Sequence, residues 1–106
     1  MKFLLLAALI LSSFSPKKLI GTWTKVEGKT ETLLVLNADH TSVGTYISDV
    51  DDDKEQKSWQ NRWATKGSDL CFYNDAADMY TCYVYGLSLD GDTLTLGRHA
   101  QYVRTK

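Results

Sequence analysis

From residue 19 onward, apolar and polar side chains alternate with a period of two, as in "YVYGLSL" (83–89) and "TLTL" (93–96). No window sustains the three-to-four-residue spacing of an amphipathic helix. Turn-forming clusters punctuate the alternation and predict short strands near residues 19–26, 30–37, 41–48, 57–66, 69–73, 79–89, 92–97 and 100–105. The only proline, Pro16, precedes all of them, so none is interrupted. The expected fold is all-β: a small antiparallel up-and-down β-barrel of about eight short strands.

A turn centre fixes which residues face each other across a ladder, and alternation fixes the face. A two-residue turn at Asp90 and Gly91 pairs Leu87 with Leu94 and Tyr85 with Leu96. A turn at Gly67 and Ser68 pairs Trp63 with Phe72 and Thr65 with Leu70. A loop centred on Ala76 and Ala77 pairs Phe72 with Thr81 and Leu70 with Tyr83. These turns place Trp59, Trp63, Leu70, Phe72, Tyr83, Tyr85, Leu87, Leu94 and Leu96 on one surface, taken as the barrel interior. "NADHT" is expected to extend the scheme by pairing Leu34 with Thr45 and Leu36 with Val43. Asn61, Thr45 and Thr81 then share the inner face, while Tyr46, Tyr73 and Tyr80 point outward with Val35 and Val84.

The same register sets the only two cysteines, Cys71 and Cys82, opposite each other on the outer face. In a non-hydrogen-bonded antiparallel pair the α-carbons lie about 4.5 Å apart, within reach of a disulfide. The bridge is the favoured reading, and two free thiols packed on the surface are the alternative. Zinc needs about four ligands, and neither histidine lies in this hairpin. A catalytic redox pair is usually spaced C-x-x-C.

Lys2, the nine-residue apolar run from Phe3 to Leu11 and the small residues after it form the pattern of a secretory signal peptide. Residues 1–15 are read as that signal and 16–106 as the barrel domain. The run is too short for a helical membrane span of roughly 30 Å, so no permanent membrane span is expected; a buried N-terminal helix is the alternative. The destination would be extracellular or periplasmic, where a disulfide persists. Twelve basic residues against thirteen acidic ones, with no basic stripe, leave no basis for nucleic-acid binding.

"SDVDDDKEQK" (48–57) places Asp49, Asp51 and Asp53 in the spacing of a calcium loop. Lys54 then occupies the position that needs glycine, and Gln60 replaces the terminal glutamate, so a solvated loop is expected instead. His40 and His99 lie in different connections with no nucleophile placed beside them, so neither catalysis nor a cofactor or metal is expected.

The segments "LIGTW" (19–23), "LLVLNADHTSVGTY" (33–46), "WQNRW" (59–63), "GSDLCFY" (67–73), "YTCYVYGLSLDGDTLTL" (80–96) and "YVRTK" (102–106) follow in an order that resembles small bacterial lipocalin-like domains of the calycin type. The resemblance implies that Trp23 packs at the barrel base beneath Arg104. It also implies a non-enzymatic protein that binds a small hydrophobic or amphipathic molecule inside the barrel. Trp59, Trp63, Phe72, Tyr83 and Tyr85 are the candidate ligand-binding residues. An apolar lining with a few polar groups suits a pocket, and it suits a filled core equally. An envelope protein, met through outer-face aromatics and loops in the manner of a peptidase inhibitor, is the alternative partner.

Overall fold

A computed structural model describes residues 16–50 and 53–105; the signal-peptide reading of residues 1–15 lies outside them. A short 3₁₀ turn, Pro16–Leu19, leads into eight strands: β1 Gly21–Glu27, β2 Thr30–Leu36, β3 Thr41–Val50, β4 Asp53–Lys66, β5 Asp69–Asn74, β6 Met79–Leu87, β7 Thr93–Leu96 and β8 Ala100–Arg104. All neighbours are antiparallel, and β8 returns to β1 to close the barrel. The fold class is therefore as expected, except that Leu19 ends the 3₁₀ turn rather than opening a strand.

Three hairpins keep the register derived from their turn centres. Trp63 faces Phe72, Leu70 faces Tyr83, and Leu87 faces Leu94. The Asp90–Gly91 connection is longer than a two-residue turn, because Ser88 closes on Thr93 (3.0 Å) around a tighter turn from Ser88 to Gly91. Its centre is unchanged, so the faces are too.

The "NADHT" hairpin departs by one residue. Leu34 faces Gly44 and Leu36 faces Ser42, rather than Thr45 and Val43. Asn37 and Thr41 close the loop, the His40 N–H donates to Asn37, and His40 takes a left-handed backbone with φ of 70°. That extra left-handed residue shifts β3 by one and reverses its faces. Gly44 and Tyr46 therefore share the inner face, and Thr45 turns outward. Packing compensates the unusual backbone of His40: its ring stacks on Trp63 at 5.0 Å, and its Nδ1–H donates to the Trp63 carbonyl (3.0 Å).

The acidic stretch expected as a solvated loop is instead a ladder. Ser48 faces Glu55 and Asp49 faces Lys54, so β3 and β4 run on to Val50 and Asp53. An opposite-charge pair across the strands supports pairing where apolar residues are few. The Asp51 of the calcium-loop reading lies outside the described residues.

The lower half of the barrel is filled. Leu19, Trp23, Leu36, Trp63, Leu70 and Leu94 are at most 2% exposed. Arg104 seals this floor: its guanidinium lies 4.2 Å from the Trp23 ring centroid and donates to the carbonyls of Lys18 (2.6 Å), Ile20 (3.0 Å) and Gly91 (3.1 Å). The Trp23 indole N–H donates to the Leu19 carbonyl (2.9 Å), tying the 3₁₀ turn beneath it. Gly21 is required here, since a Cβ would meet Arg104 Nη1 at 2.7 Å and its φ is 142°.

Cys71 and Cys82 are bonded across β5 and β6, with α-carbons 4.0 Å apart. They alternate with the inward Leu70, Phe72 and Tyr83, and Cys71 is buried without joining the barrel core.

Replacing Arg104 with methionine leaves three backbone carbonyls without their cationic donor. Urea unfolding should show a loss of about 2 to 4 kcal/mol. Arg104→Lys should recover only part of it, because an ammonium cannot reproduce the planar fork.

Candidate functional site

The end of the barrel opposite Arg104 is open because its strands stop at different heights. β4 pairs with β5 only from Arg62 onward, although β4 begins at Asp53. β6 pairs with β7 only from Tyr85 onward, although β6 begins at Met79. β4 runs on past the end of β5, and the β5–β6 hairpin rises past the β7–β8 turn, so the inner face that is packed lower down borders a cleft of about 440 Å³.

Aromatic side chains form its walls. Trp59 of β4, Phe72 of β5 and Tyr83 of β6 line it, with Phe72 and Tyr83 edge to face at 6.2 Å. Trp59 and Tyr83 are 41% and 42% exposed despite facing inward. A large ring on an inner wall that still meets water is unspent apolar area, available to a ligand. Gly44 gives Trp59 its place, since a Cβ there would collide with the indole. Leu34, Leu96 and Tyr102 form the lower boundary.

The polar groups are few and ordered. Asn74 Nδ2 donates to Asn61 Oδ1 (2.9 Å), while Asn74 Oδ1 accepts the Ala77 N–H (2.9 Å). Thr81 adds a hydroxyl. Among the described residues Lys25 is the one charged side chain lining the cleft; its Nζ lies 3.3 Å from Glu27 and 5.5 Å from the Tyr102 ring centroid. Among the described residues no group of three His, Cys, Asp or Glu side chains is placed to hold a metal.

Of the five residues expected to form the site, the structure brings Trp59, Phe72 and Tyr83 into this cleft. Trp63 lies below it, 2% exposed, with its indole N–H donated to the Asn37 carbonyl (3.0 Å). Tyr85 faces a second concavity at the opposite end, between the 3₁₀ turn and the β4–β5 and β6–β7 turns. That concavity is larger, about 1040 Å³, but Tyr85 is its only aromatic. Its Ser88 and Asp90 side chains already bind each other and nearby backbone amides. The converging aromatics favour the first cleft as the functional site.

Lys25 and Met79 also line the cleft and were not among the expected residues. Both were within reach of the alternation rule: Lys25 follows the inward Trp23 by two, and Met79 precedes the inward Thr81 by two.

No family model, no curated protein and no solved structure matches this chain.

Burial pushes the Tyr102 phenol above its usual value of 10.0, with Lys25 pulling partly the other way. A raised value in the fold means that stability is fully present below pH 10 and drains away as pH rises through the folded-state value. Tyr102→Phe should flatten the loss of stability above about pH 10, measured by denaturant midpoints across an alkaline series. An unchanged alkaline slope would contradict this placement.

Proposed function

We propose that this protein is a secreted or periplasmic lipocalin-like barrel, without enzymatic activity, that binds one small hydrophobic or amphipathic molecule in the cleft at its open end. The observation that carries the reading is the half-exposure of Trp59 and Tyr83 on the inner wall. Beside Phe72 they face a volume within the usual range of about 300 to 1,000 Å³ for small-molecule sites. Closed eight-strand antiparallel topology and the Trp23–Arg104 plug are compatible with the lipocalin resemblance. The Cys71–Cys82 bond suits an oxidising compartment.

The cleft favours a ligand with a polar end. An apolar body would cover the aromatics, and Lys25 would meet an acidic head. Its partner Glu27 has a side chain 67% exposed. Such a solvated ion pair contributes about 0.2 to 1 kcal/mol, so exchanging Glu27 for a ligand carboxylate costs little. The alternative, docking of an envelope protein through outer-face aromatics and loops, has its support in the exposed Tyr80 beside Tyr73.

Tryptophan fluorescence titrated with a long-chain fatty acid, its matching alcohol, a retinoid and haem tests the proposal. A saturable change with at least one of them is expected. Phe72→Ala should weaken binding about tenfold, equivalent to about 1.4 kcal/mol. Lys25→Met should weaken the acid and spare the alcohol. No response to any of the four would overturn small-molecule binding.

A further inference from the structure

Among the described residues, nothing covers strand β6 on either face or along one edge. Every residue from Met79 to Val84 is exposed, with Met79, Tyr80 and Val84 each at about 60%. The Val84 carbonyl accepts the Gly97 N–H (2.8 Å), so Val84 directs its backbone groups toward β7. Alternation directs those of Cys82 and Tyr80 the same way, beyond the point where β7 has ended at Leu96. An uncharged strand with a bare hydrogen-bonding edge is a template for another strand. The outer edge of β4 above Arg62 differs: it carries Lys54, Glu55 and Lys57, charges that deter such pairing.

We infer that a second copy of this chain occupies the β6 edge. The two β6 strands pair antiparallel about a two-fold axis at Thr81, a self-complementary contact of the kind that closes a dimer. In this register Tyr80 exchanges backbone hydrogen bonds with Cys82 of the partner subunit, using the free groups of both strands. Thr81 faces its own copy as a non-hydrogen-bonded pair. Met79 meets Tyr83 of the partner subunit on the concave face, covering two side chains that are exposed in the single chain.

Charge selects the same register. It sets Asp78 opposite Val84 of the partner subunit, the residue bonded to Gly97 at the start of the β7–β8 turn. That turn contains Arg98 and His99, whereas the β5–β6 tip contains Asp78, which accepts the Tyr73 hydroxyl (2.7 Å), and Asp75, which is paired with Arg62 (2.8 Å). Asp78 of each tip therefore approaches the Arg98 turn of the other copy, once on each side of the axis. No charged side chain lies between Met79 and Val84 to oppose the approach. The paired strand continues the barrel wall above the β7–β8 turn, where the cleft is open. Met79, Thr81 and Tyr83 also border the cleft, so the pairing narrows its mouth on the β6 side while Trp59, Phe72 and Lys25 remain on the other walls.

Sedimentation of the purified protein with its disulfide intact should give twice the chain mass, with dissociation on dilution and at high salt. Tyr80→Pro removes an edge N–H that no strand among the described residues uses, and it should yield a folded monomer. Thr81→Cys should form a disulfide between the two copies of residue 81 under mild oxidation, whereas Met79→Cys should not link to its own copy. Peptide mapping would confirm that Cys71–Cys82 is retained. If Tyr80→Pro fails to fold, the residue-81 cross-link decides. A wild-type monomer at every concentration, or a dimer that forms no residue-81 cross-link, would overturn the inference. So would capture of a different protein at residue 81 in place of a second copy.

Discussion

The contact between Arg104 and Trp23 is the constraint on which the rest of the barrel depends. Strands β1 and β8, which close the sheet, share only the pairs Trp23–Arg104 and Thr24–Val103. So short a seam needs help. Arg104 provides it by stacking on the buried indole while donating to the 3₁₀ turn, the entry to β1 and the β6–β7 connection. Thr105 extends the seam through the Thr22 carbonyl (2.8 Å) and the Thr24 hydroxyl (2.5 Å). A guanidinium suits this place because its planar fork satisfies several carbonyls at once while its face remains on the ring. The closed end of the barrel is thus secured by directional bonds as well as by apolar packing.

Securing one end permits the other to stay open. Core residues fill the floor up to Leu34 and Leu96, and above them β4 and β6 each run on without one neighbouring strand. Aromatic area left in contact with water in this open region forgoes stabilisation of about 25 cal/mol for each Å². The disulfide offsets part of that loss by restricting the unfolded chain, about 2 to 3 kcal/mol for a loop of this length, and it braces the hairpin that carries Phe72 and Tyr83. The exposed aromatics, the Lys25 cation and the cross-linked wall then describe one design: a rigid base presenting an apolar, partly polar mouth.

Much of this arrangement was legible in the sequence, because alternation and turn centre together determine which side chains share a face. The β4–β5, β5–β6 and β6–β7 hairpins followed that rule, and the Cys71–Cys82 pairing came with them. The rule failed at His40, where a left-handed residue added an uncounted position and exchanged Thr45 for Tyr46 on the inner face. Histidine gives little local sign of this backbone; the tertiary contacts to Trp63 maintain it. The β3–β4 extension was hidden for another reason. Its residues are mainly charged and polar, so hydrophobic alternation gives no signal, although Asp49 and Lys54 were correctly spaced to face each other. The division of the inner face into filled floor and open mouth was beyond local reading, since it depends on where neighbouring strands of unequal length end.

The three tryptophans offer a direct test, because each lies at a different level of the barrel. Trp23 is sealed at the floor, Trp63 is buried beneath His40, and Trp59 borders the cleft. Indole N–H resonances followed by two-dimensional NMR during titration with a long-chain fatty acid should show saturable movement of the Trp59 signal, with those of Trp23 and Trp63 nearly fixed. Movement of Trp23 or Trp63 while Trp59 stays still would place the ligand elsewhere and contradict a binding cleft at the open end.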